Sequence, residues 1–174
     1  HLKNESIDCI TGMGAFYYAN DFKETLKNQI SKLKRDGHII FSLRNKLFDL
    51  VTLNDYTLNF LTELYQIEEY NQEIRDLFYN KLTFDEVKKK KFSTVDDSGV
   101  LSQFNNPLTV KEEFLVPLGL ELQDLYFYHY HALPPFFEHI MPEEFRKKSW
   151  EMENPVDWRG YFLASCFIVH CIKR

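Results

Sequence analysis

Apolar and polar positions near the start of the chain predict a strand, a helix and a second strand. Residues 6–14 form a short, partly apolar run closed by glycines, which is typical of a buried parallel strand followed by a tight turn. Asp21 is the expected N-cap of a helix with apolar positions at helical spacing over 22–33, and Gly37 is its expected end. Residues 38–43 are again apolar, so the pattern predicts a right-handed βαβ unit.

The middle of the chain has a less regular pattern and predicts helices joined by a long loop. Asp55 is the expected cap of a helix that continues to Tyr65, and apolar residues over 74–78 indicate a second helix. Turn signals over 83–107 predict a loop. Its basic run, Lys88 to Lys91, is interpreted as a solvated stretch rather than a phosphate-binding patch.

The last third of the chain predicts two more strands. Thr109 and Glu112 have the spacing of a capping box, and Gly119 is the expected end of the helix that follows it. The other predicted elements are a strand over 120–131, a helix over 136–152 and a strongly apolar strand over 161–173. The fold class is therefore α/β, a sheet layered with helices.

Composition and charge narrow the classes of protein that this chain can represent. The chain has 174 residues, 44% hydrophobic and 27% charged, which fits one globular domain. A formal charge of −5 argues against binding of nucleic acid through a broad basic surface. The three cysteines, Cys9, Cys166 and Cys171, form no disulfide or zinc pattern, which fits a reducing cytoplasm. The longest apolar stretch, 161–172, is too short to cross a membrane.

Candidate ligand-binding residues follow the predicted strands. Ligands of parallel sheets bind at the carboxyl ends of the strands, and the start of an antiparallel last strand would open onto the same edge. Gly12 and Gly14 are either turn residues or cofactor contacts, and Arg44 is either a surface cation or part of the site. His129 and His131 are either core residues or acid–base groups, and no third ligand near them indicates a metal.

The order of these segments resembles the second half of the class I S-adenosylmethionine-dependent methyltransferases. Residues 8–14 (Asp-Cys-Ile-Thr-Gly-Met-Gly) resemble the fourth strand of that family, which begins with an aspartate. Residues 33–42 resemble its turn into the fifth strand, with an aspartate in place of the first of two glycines. Residues 119–135 and 160–173 resemble its sixth strand and its antiparallel seventh strand. The resemblance implies a Rossmann-like half-sheet in the order 4-5-7-6.

The same resemblance implies a cofactor, a reaction and a set of site residues. The cofactor would be S-adenosyl-L-methionine, and the acceptor would be an O or N of a small metabolite or glycan precursor. Arg44 and Arg159 would hold an anionic acceptor, and an imidazole would remove the acceptor's proton. The implied residues are Gly12, Met13, Gly14, Ala15 and Phe16 for the cofactor, Tyr17, Tyr18, Arg44, Asn45, Trp158 and Arg159 for the acceptor, and His129 and His131 for catalysis.

The resemblance covers nearly the whole chain but only about half of the family domain. The glycine-rich loop after the family's first strand and the acidic residue that holds the ribose have no counterpart here. We therefore expect one domain over 1–174 that lacks its N-terminal cofactor half and is completed by that half or by a homodimer. Residues 46–107 are the expected insertion, an acceptor lid. Two alternatives stay open: a non-catalytic scaffold that pairs through its open strand edge, and a generic Rossmann-like nucleotide binder.

Overall fold

A mixed sheet forms the centre of the molecule. The structure is a computed structural model that describes residues 2–82 and 104–174. Within these residues the strands are β1 (Ile7–Gly12), β2 (Leu33–Asn45), β3 (Phe104–Asn105), β4 (Leu120–Tyr130) and β5 (Ala164–Lys173). Their order is β1-β2-β5-β4, and β3 pairs with the end of β2. β1 runs parallel to β2, whereas β5 runs antiparallel to both β2 and β4. The expected order 4-5-7-6 and the reversed last strand are therefore confirmed.

Helices connect the strands, and the first of them begins where the sequence predicts. The helices of the described ranges are α1 (Phe22–Lys32), α2 (Asp55–Leu64), α3 (Gln72–Leu82), α4 (Phe137–Ile140), α5 (Pro142–Glu151) and α6 (Gly160–Leu163). The Asp21 carboxylate accepts a hydrogen bond from the backbone N–H of Glu24 at 2.8 Å, so the predicted N-cap is confirmed. No helix in these ranges is both long and apolar enough to span a bilayer.

The two faces of the sheet have different characters. On one face Leu43 of β2, Phe167 of β5 and Phe127 of β4 lie opposite one another, and each is at most 3% exposed. They belong to the hydrophobic core, to which α1 contributes Phe22 and Leu26. Directly paired residues of antiparallel strands share a face, so the register places Arg44, Cys166 and Tyr128 together on the second face.

The first helix ends earlier than the sequence pattern predicts. Helix α1 stops at Lys32 rather than near Gly37, and β2 begins at once with Leu33, which is fully buried and pairs with Ile7. The next paired residues are Cys9 and His38, so the residues between Leu33 and His38 bulge out of the ladder. The sequence predicted a longer helix because Leu33 continues the helical spacing of apolar residues. An apolar residue is also required at this position because it is buried in the sheet.

Two predicted helix caps are wrong. Helix α2 is capped by Asn54 rather than Asp55, because the Asn54 side chain accepts from the backbone N–H of Tyr56 at 2.9 Å. The capping box of Thr109 and Glu112 does not form. A π-helical turn over Lys111–Leu115 and a 3-10 turn over Val116–Leu118 occupy this region instead. Gly119 ends them in a left-handed conformation with a φ of 74°, as predicted.

The elements at the end of the chain also differ in detail from those that the sequence predicts. The last strand begins at Ala164 rather than Tyr161, because α6 makes a helical turn first. The predicted helix over 136–152 is two helices, α4 and α5, and the second begins at Pro142. The predicted loop over 83–107 contains β3, while the basic run at 88–91 lies outside the described residues.

Candidate active site

Four segments meet at one edge of the sheet. The carboxyl ends of β1, β2 and β4 lie there, and so does the start of β5, because that strand is reversed. The segments are the loop over 12–18, a 3-10 helix over Lys46–Val51, the end of β4 and helix α6. Helix α6 packs against both the 3-10 helix and β4. The predicted convergence of these segments at one edge is therefore present in the structure.

Asn45 links the segments at this edge of the sheet through hydrogen bonds. Its side chain is completely buried, and its amide nitrogen lies 3.3, 2.9 and 2.8 Å from the carbonyl oxygens of Gly160, Tyr161 and Ala164. Its amide oxygen accepts from the backbone N–H of Leu47 at 3.0 Å. Since both ends of the amide are bonded to backbone, Asn45 joins β2 to α6 and is removed from the surface that an acceptor would reach.

The loop after β1 is an exposed turn. Gly14 has a φ of 63°, a left-handed conformation that glycine adopts without strain, and Met13, Gly14 and Ala15 are all exposed. Gly12 is buried beneath the ring of Phe16, which would overlap any side chain added there. The Phe16 ring also makes an edge contact with Phe41, their centroids being 5.8 Å apart. Gly12 and Phe16 therefore shape the loop, while Met13 to Ala15 form its accessible surface.

Arg44 stands between aromatic rings next to this loop. Its guanidinium carbon lies 5.9 Å from the centroid of the Tyr17 ring and 5.2 Å from that of Phe104. Tyr17 is buried and stacks obliquely on the more exposed Tyr18, with centroids 4.5 Å apart. Burial raises the pKa of the Tyr17 phenol, so it stays protonated at neutral pH. The structure thus brings Arg44, Tyr17 and Tyr18 together, as the sequence predicts.

His129 has a strained backbone at the end of β4. Its φ of 60° is unusual for a residue with a side chain, and such strain is often found at functional sites. The change in direction breaks the alternation of the strand, because Phe127 and Tyr130 both belong to the core. The Nδ1 atom of His129 lies 2.8 Å from the hydroxyl of Ser165, so the opposite ring nitrogen, Nε2, is the one left for other contacts.

His131 is close to His129 but has a different environment. The two rings are 5.2 Å apart, and the ring of His131 also contacts Phe48 at 4.6 Å and Phe145 at 5.5 Å. Its Nδ1 atom is buried and has no hydrogen-bond partner among the residues that the structure describes. Burial, with a smaller effect from His129, lowers the pKa of His131 to about 4. His131 is therefore neutral at pH 7 and is a weak base there.

The remaining predicted acceptor residues lie before β5. The Trp158 side chain is 70% exposed. Arg159 forms an ion pair with Asp157, with 2.7 Å between Nη2 and Oδ2, and this pairing holds the pKa of Asp157 below its usual value. The charge of Arg159 is thus partly balanced by Asp157 in the structure, and the predicted contact of Arg159 with an anionic acceptor stays a prediction.

Sequence reasoning missed Asp49 and two hydroxyl residues at this edge. Asp49 lies on the 3-10 helix after β2, and burial raises its pKa to about 7 although Lys46 and Arg44 partly offset the effect. Ser42 of β2 and Tyr128 of β4 lie on the second face of the sheet, as Arg44 does. No motif marks these three residues, since each stands within an apolar or aromatic run, and only the strand register brings them to the site. Within the described ranges, no three His, Cys, Asp or Glu side chains are grouped to hold a metal ion.

Comparison with known proteins finds similar solved structures but no matching protein-family profile. No protein-family profile and no curated protein matches the chain. Among solved structures, it is similar to an S-adenosylmethionine-dependent methyltransferase of Mesorhizobium loti, with 13% identity, a TM-score of 0.49, and coverage of 99% of this chain and 64% of that one. A second such methyltransferase, from Thermotoga maritima, has 15% identity, a TM-score of 0.49, and coverage of 99% and 59%.

A third similar structure has a different stated activity. It is a cyclase, with 10% identity, a TM-score of 0.45, and coverage of 98% of this chain and 52% of that one. The chain spans about three fifths of the length of the first two structures.

Proposed function

We propose that this chain forms the acceptor side of an S-adenosylmethionine-dependent methyl-transfer site. The observation that carries the proposal is the strand order: β5 lies between β2 and β4 and runs opposite to both. The resemblance to class I methyltransferases implies this reversed strand, whereas Rossmann sheets that bind dinucleotides are mostly parallel. The acceptor is proposed to be an O or N atom of a small metabolite or glycan precursor.

The loop after β1 has the properties that a cofactor contact needs. S-adenosylmethionine, when bound, supplies an already activated methyl group. Met13, Gly14 and Ala15 are exposed, and a Cβ added to Gly14 would meet only the Tyr17 hydroxyl, at 3.8 Å. The loop therefore has room for a ligand at Met13 to Ala15, and we assign the cofactor contact to these three residues.

His129 is the residue that we assign to proton removal. An acceptor hydroxyl or amine has to lose a proton when it takes up the methyl group. The Ser165 hydroxyl donates to the His129 carbonyl oxygen at 3.2 Å, so its oxygen can accept from the Nδ1–H of His129; in this tautomer Nε2 carries no proton and can accept one from the acceptor. His131 is instead assigned to packing, because its low pKa makes it a poor proton acceptor at neutral pH.

Arg44 is the residue that we assign to an anionic group of the acceptor. Its guanidinium lies between the rings of Tyr17 and Phe104, so the charge is held in one place by cation–π contacts. Tyr18 and Trp158 have exposed rings at the same edge and would form the rim. The insertion over 46–107 is proposed to be the acceptor lid, and the cofactor side is proposed to come from an N-terminal half or a second copy, in the cytoplasm.

The test is methyl transfer by the complete enzyme. Labelled S-adenosylmethionine is supplied with a small-molecule extract as the source of acceptors, and label in the extract is measured. His129→Gln should lower turnover about 100-fold or more without changing the KM for the cofactor. His139→Gln, a change at an exposed histidine, is the control. Unchanged turnover in a double variant, His129→Ala with His131→Ala, would exclude an imidazole base.

A non-catalytic scaffold is the second candidate, and the outer edge of β1 favours it. Within the described residues β1 pairs only with β2, and Asp8, Cys9 and Thr11 are exposed. An unpaired strand edge is a template for another strand. A scaffold would form a concentration-dependent dimer in sedimentation experiments and would not bind S-adenosylhomocysteine, the demethylated product of the cofactor.

A further inference from the structure

Two histidines and an aspartate form a line of hydrogen bonds across the second face of the sheet, towards the edge opposite the candidate active site. The Nδ1 atom of His170 on β5 lies 3.0 Å from Oδ2 of Asp124, its direct partner on β4. The Nε2 atom of His170 lies 2.9 Å from Nδ1 of His38 on β2. None of these three residues has a role in the function proposed above.

The contact with Asp124 decides which nitrogen of His170 is free to bind something else. A carboxylate only accepts hydrogen bonds, so Nδ1 of a neutral His170 ring donates to it and Nε2 keeps a lone pair. The planes of the His38 and His170 rings differ by 22° and their centroids are 5.2 Å apart, so the rings meet through their nitrogen edges. The lone pair of His170 is therefore held in one direction, towards His38.

The strand register keeps the two imidazoles together. His38 pairs with Ile172 and His170 pairs with Ile40, so the two histidines are diagonal neighbours on adjacent strands. The side chain of His170 is 24% exposed and is oriented by Asp124. The side chain of His38 is exposed, so its ring has room to rotate. One imidazole is thus fixed in place and the other can adjust to a shared ligand.

We propose that His38 and His170 bind a divalent transition-metal ion of tetragonal geometry, Cu²⁺ or Ni²⁺. Imidazole is a common ligand of both ions. With metal–nitrogen bonds of about 2.0 Å, the observed 2.9 Å between the two nitrogens corresponds to an angle of about 90° at the metal. This is the angle between neighbouring ligands of a tetragonal ion. Binding requires the proton of His38 to be on Nε2, which leaves the lone pair of Nδ1 free.

The same geometry is less suited to zinc. A tetrahedral ion needs an angle of about 109°, for which the two nitrogens would have to be about 3.3 Å apart. In the described ranges no third His, Cys, Asp or Glu is grouped with the pair, so water or a small ligand would fill the other positions of the ion. Asp124 is a positioning residue, because a carboxylate on the second ring nitrogen orients a metal-binding histidine.

The experiment is a titration of the complete, isotope-labelled protein with Cu²⁺, followed by the paramagnetic broadening of its amide resonances. Cys9→Ser is the background of every variant, because the Cys9 thiol is exposed and pairs in register with His38, where it would compete for the ion. Saturable broadening should appear around His38 and His170, for example at the amides of Ile39 and Cys171. The same spectra show whether each variant is folded.

Removal of either imidazole should abolish the broadening at this site. His170→Gln and His38→Gln each leave a single ligand, so the amides around these strands should stay sharp. His139→Gln, a change at an exposed histidine outside the sheet, should broaden them as in the background protein. Should His170→Gln fail to fold, His38→Gln alone still tests the site. Unchanged broadening in a folded variant, or none at these strands in the background protein, would overturn the proposal.

Two further measurements test the geometry of the site. Asp124→Ala should raise the dissociation constant for Cu²⁺ about 10- to 100-fold, as expected when a ligand loses the group that orients it. Asp124→Asn should raise it less, because its amide oxygen can still accept from Nδ1 of His170. Zn²⁺ should displace Cu²⁺ only in about tenfold excess or more. An unchanged affinity in Asp124→Ala would overturn the role of Asp124, and tighter binding of Zn²⁺ would overturn the tetragonal geometry.

Discussion

The loop after β1 and the region around the end of β4 lie at the same edge of the sheet but are built differently. The loop is set by backbone geometry: Gly14 is left-handed, and its N–H is bonded to Ser42. The region around the end of β4 instead collects titratable groups whose pKa values burial has shifted, namely His131 and Asp49. The first side is therefore set by backbone conformation and hydrogen bonding, whereas the stability of the second side depends on pH, so different changes should break the two.

The largest expected effect comes from Asn45, which joins β2 to α6. Asn45→Ala removes the amide that bonds to three backbone carbonyls, of which that of Gly160 keeps the Ala164 N–H, and it leaves the Leu47 N–H without its acceptor in a buried site. We expect a loss of about 3 kcal/mol or more in the free energy of unfolding, measured by urea denaturation. Asn59→Ala, at an exposed position of α2, should cost less than about 0.5 kcal/mol. Equal effects of the two changes would show that the edge does not depend on Asn45.

The second expected effect is a loss of stability at low pH that depends on His131. Its pKa is lower in the folded protein than the ordinary 6.5, so its contribution to stability is complete above pH 6.5 and is lost as the pH falls towards 4. The loss amounts to up to about 3 kcal/mol. His131→Phe keeps the contacts with Phe48 and Phe145 and should reduce the acid sensitivity in urea denaturation at pH 7 and pH 4.5.

The control for this prediction is a change at an exposed histidine. His139→Phe should leave the acid sensitivity as it is in the wild type. An unaltered pH profile in His131→Phe would mean that His131 is not buried in its neutral form, and the contrast between the two sides would then be weaker.

The third expected effect is a destabilisation by Asp49 that grows as the pH rises, opposite to the effect of His131. The pKa of Asp49 is raised in the folded protein, so its ionisation destabilises the fold increasingly as the pH rises from 3.8 to about 7. Asp49→Asn should therefore stabilise the protein by about 1 to 2 kcal/mol at pH 8, after allowance for solvent screening, and by less at pH 5. Thermal unfolding at both pH values measures this. The control Asp36→Asn keeps an exposed, left-handed position and should show no such trend; an Asp49→Asn variant without one would refute the assignment.

The smallest effect lies on β1, far from the loop. Asp8 and Lys34 form an ion pair at 2.7 Å, and both side chains are well exposed. Asp8→Asn should change the free energy of unfolding by less than about 0.5 kcal/mol in urea denaturation. A loss above about 1 kcal/mol would mean that the aspartate supports β1 in a way that an exposed ion pair does not.

The sequence predicted the sheet well because its strands are long and apolar. The runs that became β1, β2, β4 and β5 leave few alternatives, and Asp21 and Gly119 mark boundaries through side-chain and backbone chemistry that the structure retains. Lys32 was missed as the end of α1 because Leu33 satisfies both a helical period and a buried sheet position.

The candidate site was predicted less completely, for reasons of pairing and backbone strain. Strand register and burial place three residues at the site, and neither can be read from a single amino-acid sequence. These residues are Ser42, Tyr128 and Asp49. The left-handed backbone of His129 likewise depends on tertiary contacts, because the side chain alone disfavours it. Asn45 was predicted to touch the acceptor, but its position at the end of β2 puts it within reach of the backbone of α6.

The most direct test of the account is a titration of the isotope-labelled complete enzyme with S-adenosylhomocysteine, followed by the amide resonances. We predict saturable shifts at Met13, Gly14 and Ala15, with smaller changes at neighbouring residues of the same edge. Amides of the opposite edge, such as that of His38, should stay unchanged. Absence of saturable shifts at Met13 to Ala15, or shifts centred on the opposite edge, would contradict the claim that this edge binds the cofactor.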